Sequence, residues 1–379
     1  MRKMTYIVKV TETIPIEGKD RIQIIKNDQN NYSVIGSKDI KIGDMMLYFE
    51  VDSILPVRPE FEFLRARCYK PSLNGFLIKN MKMSKIYSNG LLMKPEEIGI
   101  TKYSLKEDFT EKLHIKKYEP EEDASPVENK LSAWKKNLKS FLMHYKATRW
   151  IGKKLFIKTK SFGEFPTWLI AKSDEDNIQN HKQWFDLYKH DLCYISEKME
   201  GQSVTLLTNP KTNKFEAYNR NSSANHNVQD FVREEGYDKI LLSIKKKHYA
   251  VQGEFCSPTI QKGIYKNGKH FYVYFVKDLD EDRKLSCQEM IDFCKKYGFE
   301  TVTILKKDIT LDRFFESVND LQEYTEHLWF NVGDEHYVID DRREKKPKEA
   351  HRCEGIVVRN IDQSWSFKVK SNEYQLAGL

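Results

Sequence analysis

The sequence predicts an α+β protein of two domains, a small β-barrel followed by a larger α+β unit. Three observations carry this. The chain has 379 residues, too many for one ordinary domain. Its first hundred or so residues read as short strands broken by turns, and from about residue 165 strand-like and helix-like stretches alternate to the end. A hydrophobic fraction of 40% supplies enough apolar material for two cores and excludes a disordered chain.

In the first unit, residues 21–25 and 32–35 flank the polar turn 28–31, and residues 45–51 form a further strand. Asn74-Gly75 and Asn89-Gly90 are hairpin-type turn signals, and many short strands with turns between them suggest a barrel. The acidic, proline-broken stretch 118–126 reads as a linker. Residues 131–160 then carry nine Lys or Arg and no acid, with Trp134, Phe141, Tyr145, Trp150 and Phe156 interleaved. Trp134, Leu138, Phe141, Leu142 and Tyr145 fall at helical spacing. This amphipathic segment has two readings: a packed helix with a solvated basic face, or a nucleic-acid-binding surface formed by Lys135, Lys136, Lys139 and Arg149. In the second unit, strands are expected at 194–196, 204–207, 215–218, 250–255, 270–276, 355–358 and 365–369. Helices are expected at 238–247 and at 287–297, the latter stopping before Gly298. The expected division is a barrel over 1–110, a linker with the basic segment over 111–160, and an α+β domain over 161–379.

Composition narrows the class. Sixty-three Lys and Arg against 56 Asp and Glu leave +7, which permits nucleic acid as a partner without requiring it. Six scattered cysteines without a CxxC pair read as reduced thiols, placing the protein in the cytoplasm or another reducing compartment and arguing against zinc. Neither a signal peptide nor an 18-residue apolar run is present, so no membrane association is expected.

Two motifs bear on chemistry. Residues 263–269 match GxxxxGK, but His270 follows where a magnesium-binding hydroxyl is needed, and an aromatic strand follows where a helix must start; the match reads as a hairpin turn. Glu197-Lys198-Met199-Glu200-Gly201, directly after a strand, is different. A lysine with an acid two residues on and a glycine next suits attack of an uncharged amine on a nucleotide α-phosphate. That attack requires a depressed lysine pKa, because an ammonium has no lone pair. Taken alone the motif is weak, and a surface lysine is the ordinary reading.

A series in fixed order strengthens it. Arg220 ends a strand and suits bidentate phosphate contact. Glu254 sits inside an apolar strand, where an unpaired acid is costly. Residues 271–275 form an aromatic strand able to present one ring to a nucleobase, and Glu354 precedes another apolar strand. Lys368 and Lys370 share one strand face by the period of two, an arrangement that asks for an anion between them.

This order resembles that of the covalent nucleotidyltransferases: ATP-dependent DNA ligases, RNA ligases and mRNA capping enzymes. The resemblance implies an α+β nucleotidyltransferase domain of the ATP-grasp-like ligase type. In it Lys198 is the adenylylated nucleophile, and Arg220, Glu254, Glu354, Lys368 and Lys370 assist. Glu197, Gly201, Arg220, Tyr274 (with Phe275 second), Lys368 and Lys370 would bind ATP. Glu200, Glu254 and Glu354 would hold hydrated magnesium, with manganese as a substitute. Glu200 departs from the aspartate usual at its position. Nine residues follow Lys370, too few for the OB domain that follows in capping enzymes and DNA ligases. The barrel would then be an N-terminal OB-like nucleic-acid-binding domain, as in the Deinococcus-type RNA ligase family. Lys19-Asp20-Arg21-Ile22, Lys41-Ile42-Gly43-Asp44, residues 49–56, Lys116-Lys117-Tyr118-Glu119-Pro120 and Ser173-Asp174-Glu175 resemble that family as well. It implies a monomeric ATP-dependent ligase that seals 3′-OH/5′-phosphate nicks in duplex RNA or RNA/DNA hybrids, with RNA on the 3′-OH side. The competing expectations are a GTP-using capping-type guanylyltransferase and a non-catalytic RNA-binding protein on the same scaffold.

Overall fold

A computed structural model describes residues 3–83, 86–118, 164–260, 265, 268–332, 336–340 and 350–377. The expected basic helix, with Lys135, Lys136, Lys139 and Arg149, lies outside the described residues, as does most of 263–267.

The chain begins with a nearly closed β-barrel. One sheet orders strands Leu91–Met93, Met45–Phe49, Thr5–Pro15, Ile22–Asn27 and Val34–Ser37; a second orders Lys116–Lys117, Ser53–Pro56, Gly75–Leu77 and Tyr69–Lys70. Thr5–Pro15 runs from one core to the other: Ile7 packs with Leu47, Phe49, Phe61 and Phe76, whereas Tyr6, Val8 and Val10 pack with Ile25, Met46 and Tyr48. This alternation is what a two-residue period demands of a strand packed on both faces. Leu113 and Ile115 extend the first core, and Lys116–Lys117 pairs with Ser53 and Ile54, so the barrel runs on to Lys117.

Asn89-Gly90 is not a hairpin turn. The strand before it, Ile86–Ser88, pairs back with Met81–Met83, and the strand after it pairs with Met45–Phe49. Gly90 has φ 92°, and a Cβ there would lie 2.5 Å from the Phe49 carbonyl oxygen. The glycine therefore serves a passage between sheets.

The α+β domain holds two main antiparallel sheets. The first orders Ile304–Ile309, Cys193–Lys198, Gly355–Asn360 and Ser366–Lys370. The second orders Lys214–Asn219, Gln202–Asn209, Tyr249–Cys256, His270–Asp278 and Arg283–Lys284, with Glu300–Thr301 added in parallel to His270–Asp278. A smaller sheet orders His336–Asp340, Leu328–Val332 and Ala350–Arg352. All seven expected strands are present, six of them longer than expected and the last shifted by one residue. Helix Cys287–Tyr297 has the expected bounds, with a Ser286/Glu289 capping box and Gly298 closing it at φ 73°. The second expected helix is Tyr237–Ser243, shorter than the sequence suggests. Two further helices, His226–Glu234 and Val318–Glu326, are capped by Asn225 and Ser317. Among the described residues no helix is long and apolar enough to cross a membrane, and all six cysteines are free.

The C-terminal helix Asn372–Leu376 joins the two domains. Glu326 accepts hydrogen bonds from the Asn372 and Glu373 backbone amides and from Ser371 Oγ, while Glu373 pairs with Lys82 and Tyr87 of the barrel. Asn89 of the barrel reaches Asn372 at 3.2 Å. A second seam brings Asn177 to Tyr32 at 3.0 Å and Lys182 to the Asn27 carbonyl at 2.8 Å.

Strand spacing in the first sheet depends on Gly355, where a Cβ would stand 2.1 Å from the Val369 carbonyl oxygen. Gly355→Ala is therefore expected to destabilise the protein by about 1–3 kcal/mol or more, read as a lowered urea midpoint at unchanged slope.

Candidate active site

The polypeptide crosses from one main sheet to the other immediately after Lys198. Cys193–Lys198 is a central strand, buried except at its last residue, with Lys198 opposite Gly355, which in turn lies opposite Lys370. Met199 anchors the crossover in a core with Cys256, Tyr265 and Tyr274. Gly201 then begins the approach to strand Tyr249–Cys256; a Cβ there would fall 2.6 Å from the Phe255 carbonyl oxygen and 2.7 Å from Glu254 Cγ. Glycine at this point allows Glu254 to stand beside the lysine.

The two sheets and the barrel enclose a cavity of about 1000 Å³. It brings together Glu197, Lys198, Gly201, Arg220, Glu254, Tyr274, Glu354, Lys368 and Lys370. Lys198 Nζ lies 2.6 Å from Glu354 Oε1, with the lysine side chain 21% exposed. Lys368 and Lys370 project from the same face of Ser366–Lys370, while Phe367 and Val369 fill the core behind them. Their counter-ions are the protein's own: Asp174 lies 3.7 Å from Lys368, and Asp52 of the barrel 3.7 Å from Lys370. Asp174 also receives Arg220 at 2.8 Å and Lys117 of the barrel at 3.5 Å.

Two candidates from the sequence do not line this cavity. Glu200 is buried and accepts a hydrogen bond from the Tyr374 hydroxyl, and Phe275, which a register shift in its strand puts on the same side as Tyr274, packs under Lys284. The cavity also contains residues that were not singled out as site residues. Glu175 pairs with buried Arg359 at 2.6 Å, and Asp174 and Lys117 complete the cation cluster.

Residues 191–371 match the RNA ligase family, and residues 4–95 match an OB-fold domain family. Residues 191–371 thus form an RNA ligase family domain. By homology that domain is an ATP-dependent nucleotidyltransferase, and the OB-fold domain lies ahead of it. Among solved structures, the Naegleria gruberi RNA ligase with PPi is 21% identical over 100% of this chain and 99% of that chain, with a TM-score of 0.75. A mutant of the Naegleria ligase with ATP and Mn is 21% identical over 99% of each chain, also at 0.75. Another mutant, with AMP and Mn, is 20% identical over 99% of each, at 0.75. At this identity the likeness is one of fold. No curated protein matches the sequence.

The electrostatics of the ligase cavity are strongly coupled. Burial works against a charged Lys198, but Glu354 and Glu254 outweigh it and hold the amine above its ordinary value. Attack on phosphorus requires a depressed lysine, and the neighbouring carboxylates produce the reverse. Glu254 is pushed up to about 8 by burial and by Glu354, against the opposing pull of Lys198. Lys368 is lowered to about 8 by burial and by the nearby Lys370 and Lys198 ammoniums. Asp174 is held below the carboxylate range, because Lys368, Arg220 and Lys117 overcome its burial. Glu354 Oε2 is buried with no hydrogen-bond partner in the structure.

The raised value of Glu254 fixes the sign of its contribution to stability. Between about 4.5 and 8 the folded state keeps a proton that the unfolded chain has released, so stability falls as pH rises through that window. Glu254→Gln removes the term. Its stability relative to wild type should climb from pH 6 to pH 8 by at most about 1.4 kcal/mol per pH unit, measured by urea unfolding at each pH.

Proposed function

We propose that this RNA ligase, of the Deinococcus type, seals nicks in duplex RNA or RNA/DNA hybrids through a lysyl-adenylate on Lys198. The observation that carries the reading is the convergence of Lys198, two glutamates and the Arg220/Lys368/Lys370 cations on one cavity between the sheets. Lys198 lies at the glutamate side of that cavity and has room before it for a nucleotide. Arg220, Lys368 and Lys370 are the cations suited to the phosphates, and Tyr274 is the ring available to the adenine.

A divalent cation fits this donor set. Among the described residues no three His, Cys, Asp or Glu side chains cluster tightly enough to form a cage. A hydrated ion shared with substrate phosphates needs only one or two carboxylates. Glu254 and Glu354 would hold it, and the orphaned Glu354 Oε2 is an acceptor without an occupant. When bound, magnesium or manganese would neutralise these carboxylates and withdraw the field that keeps Lys198 protonated. Glu200, turned toward Tyr374, is less directly placed for this role.

The chemistry then has three steps. Deprotonated Lys198 attacks the α-phosphorus of ATP; the Nζ–P bond forms and pyrophosphate leaves. A 5′-phosphate oxygen of the nick attacks the same phosphorus, breaking the P–N bond and capping the 5′ end with AMP. The 3′-hydroxyl attacks the 5′-phosphorus, closing the phosphodiester and releasing AMP. The OB-fold domain would hold the flanking duplex.

Incubation with labelled ATP should give a covalent AMP adduct that Lys198→Ala lacks entirely, while GTP gives none. The same variant should still seal a pre-adenylylated nick, since the lysine is spent before that step. ATP-dependent sealing by Lys198→Ala would overturn the assignment, and a panel of nicks with RNA or DNA on either side tests the strand preference.

A further inference from the structure

Arg359 is a cation that the adenylylation scheme above does not use. It lies on strand Gly355–Asn360, opposite Tyr194 on one side and Ser366 on the other, and is 4% exposed. Three contacts of its guanidinium reach different segments. One nitrogen donates to Glu175 Oε1 at 2.6 Å, another to Ser196 Oγ at 3.4 Å, and the carbon stands 5.2 Å from the centre of the Tyr274 ring. The Tyr274 hydroxyl is fixed independently, 2.7 Å from Ser173 Oγ and 2.9 Å from Ser203 Oγ.

These contacts restrain the ring at its hydroxyl end and over its face. Arg359 comes from the first sheet, Tyr274 and Ser203 from the second, and Ser173 and Glu175 from the segment preceding the nucleophile strand. A buried ion pair is weak evidence for stability, because desolvation of both groups offsets much of their attraction. A guanidinium near an aromatic ring does two things that an apolar residue there would not: it attracts the ring electrostatically and it cannot lose its charge. Tyr274, Glu175 and Arg359 all line the cavity, so the restrained ring forms part of its wall.

We propose that Arg359, held by Glu175, is a positioning residue for the nucleobase, fixing the Tyr274 ring as a preformed stacking wall for a purine. This rests on the reading of Tyr274 as the adenine-facing ring. Arg359 acts through that ring: it sets the position of the base, whereas Arg220, Lys368 and Lys370 serve the phosphates. The cavity thus has a base end and a phosphate end that are separately tunable.

The test measures AMP and inorganic pyrophosphate binding to the full chain by calorimetry. It compares wild type, Tyr274→Ala, Arg359→Lys and the charge-matched double variant Arg359→Met/Glu175→Gln. Stacking on an aromatic side chain is worth about 1–3 kcal/mol per base, so the double variant should bind AMP about tenfold more weakly, a loss of about 1.4 kcal/mol. Its pyrophosphate affinity should stay within about twofold of wild type. Arg359→Lys keeps the charge but loses the planar fork, and should give an intermediate loss for AMP alone; it carries the test if the double variant fails to fold. If Tyr274→Ala weakens AMP binding but the Arg359 variants bind it like wild type, the positioning role is overturned and the stacking reading stands. If Tyr274→Ala itself binds AMP normally, the stacking reading fails, and the positioning role with it. Equal losses for AMP and pyrophosphate in the Arg359 variants would mark a merely structural pair and overturn the proposal.

Discussion

A lysine ammonium held 2.6 Å from a carboxylate, with both side chains largely buried, is the interaction around which the ligase domain is arranged. Burying such a charge is costly unless it is paired, and removing one partner of a buried pair leaves the other uncompensated. The cavity meets this requirement repeatedly. Asp174 balances Arg220, Lys117 and Lys368; Asp52 balances Lys370; Arg359 balances Glu175. Each pairing joins segments distant in sequence, so the charges that prepare the site for a polyanion also assemble the cleft. Two aspartates meet Lys368 and Lys370, and in the proposed function a triphosphate would exchange one set of anions for another.

Much of the fold was legible because its signals are local. Strand periodicity located seven strands of the two main sheets, though not Ile304–Ile309, and Gly298 marks the end of helix Cys287–Tyr297. Helices His226–Glu234 and Val318–Glu326 were not expected, although Asn225 and Ser317 are ordinary caps. Both are nine-residue helices whose apolar faces are completed by tertiary packing. Asn89-Gly90 misled for a related reason: a dipeptide shows that the chain turns, but long-range pairing decides which strands it joins.

The same division applies to the site. The order of Lys198, Arg220, Glu254, Glu354, Lys368 and Lys370 can be read along the chain, and the family resemblance narrows the aromatic candidates to Tyr274 or Phe275. Only the packing of the sheets chooses Tyr274 to line the cavity. Arg359 and Glu175 are 184 positions apart, and nothing local to either announces the other. The charge state of Lys198 was also out of reach. Its sequence neighbours do not decide it; Glu354 and Glu254, brought in by other strands, do.

The C-terminal helix carries a mechanical consequence. Lys370 stands two residues before Asn372, where a helix begins that is bonded on one side to Glu326 and on the other to Lys82, Tyr87 and Asn89 of the barrel. A barrel lifted from the cleft must either break those bonds or draw the last strand with it. The seating of the barrel and the reach of Lys370 are thus geared together, and a five-residue helix works as the coupling rod between the two domains.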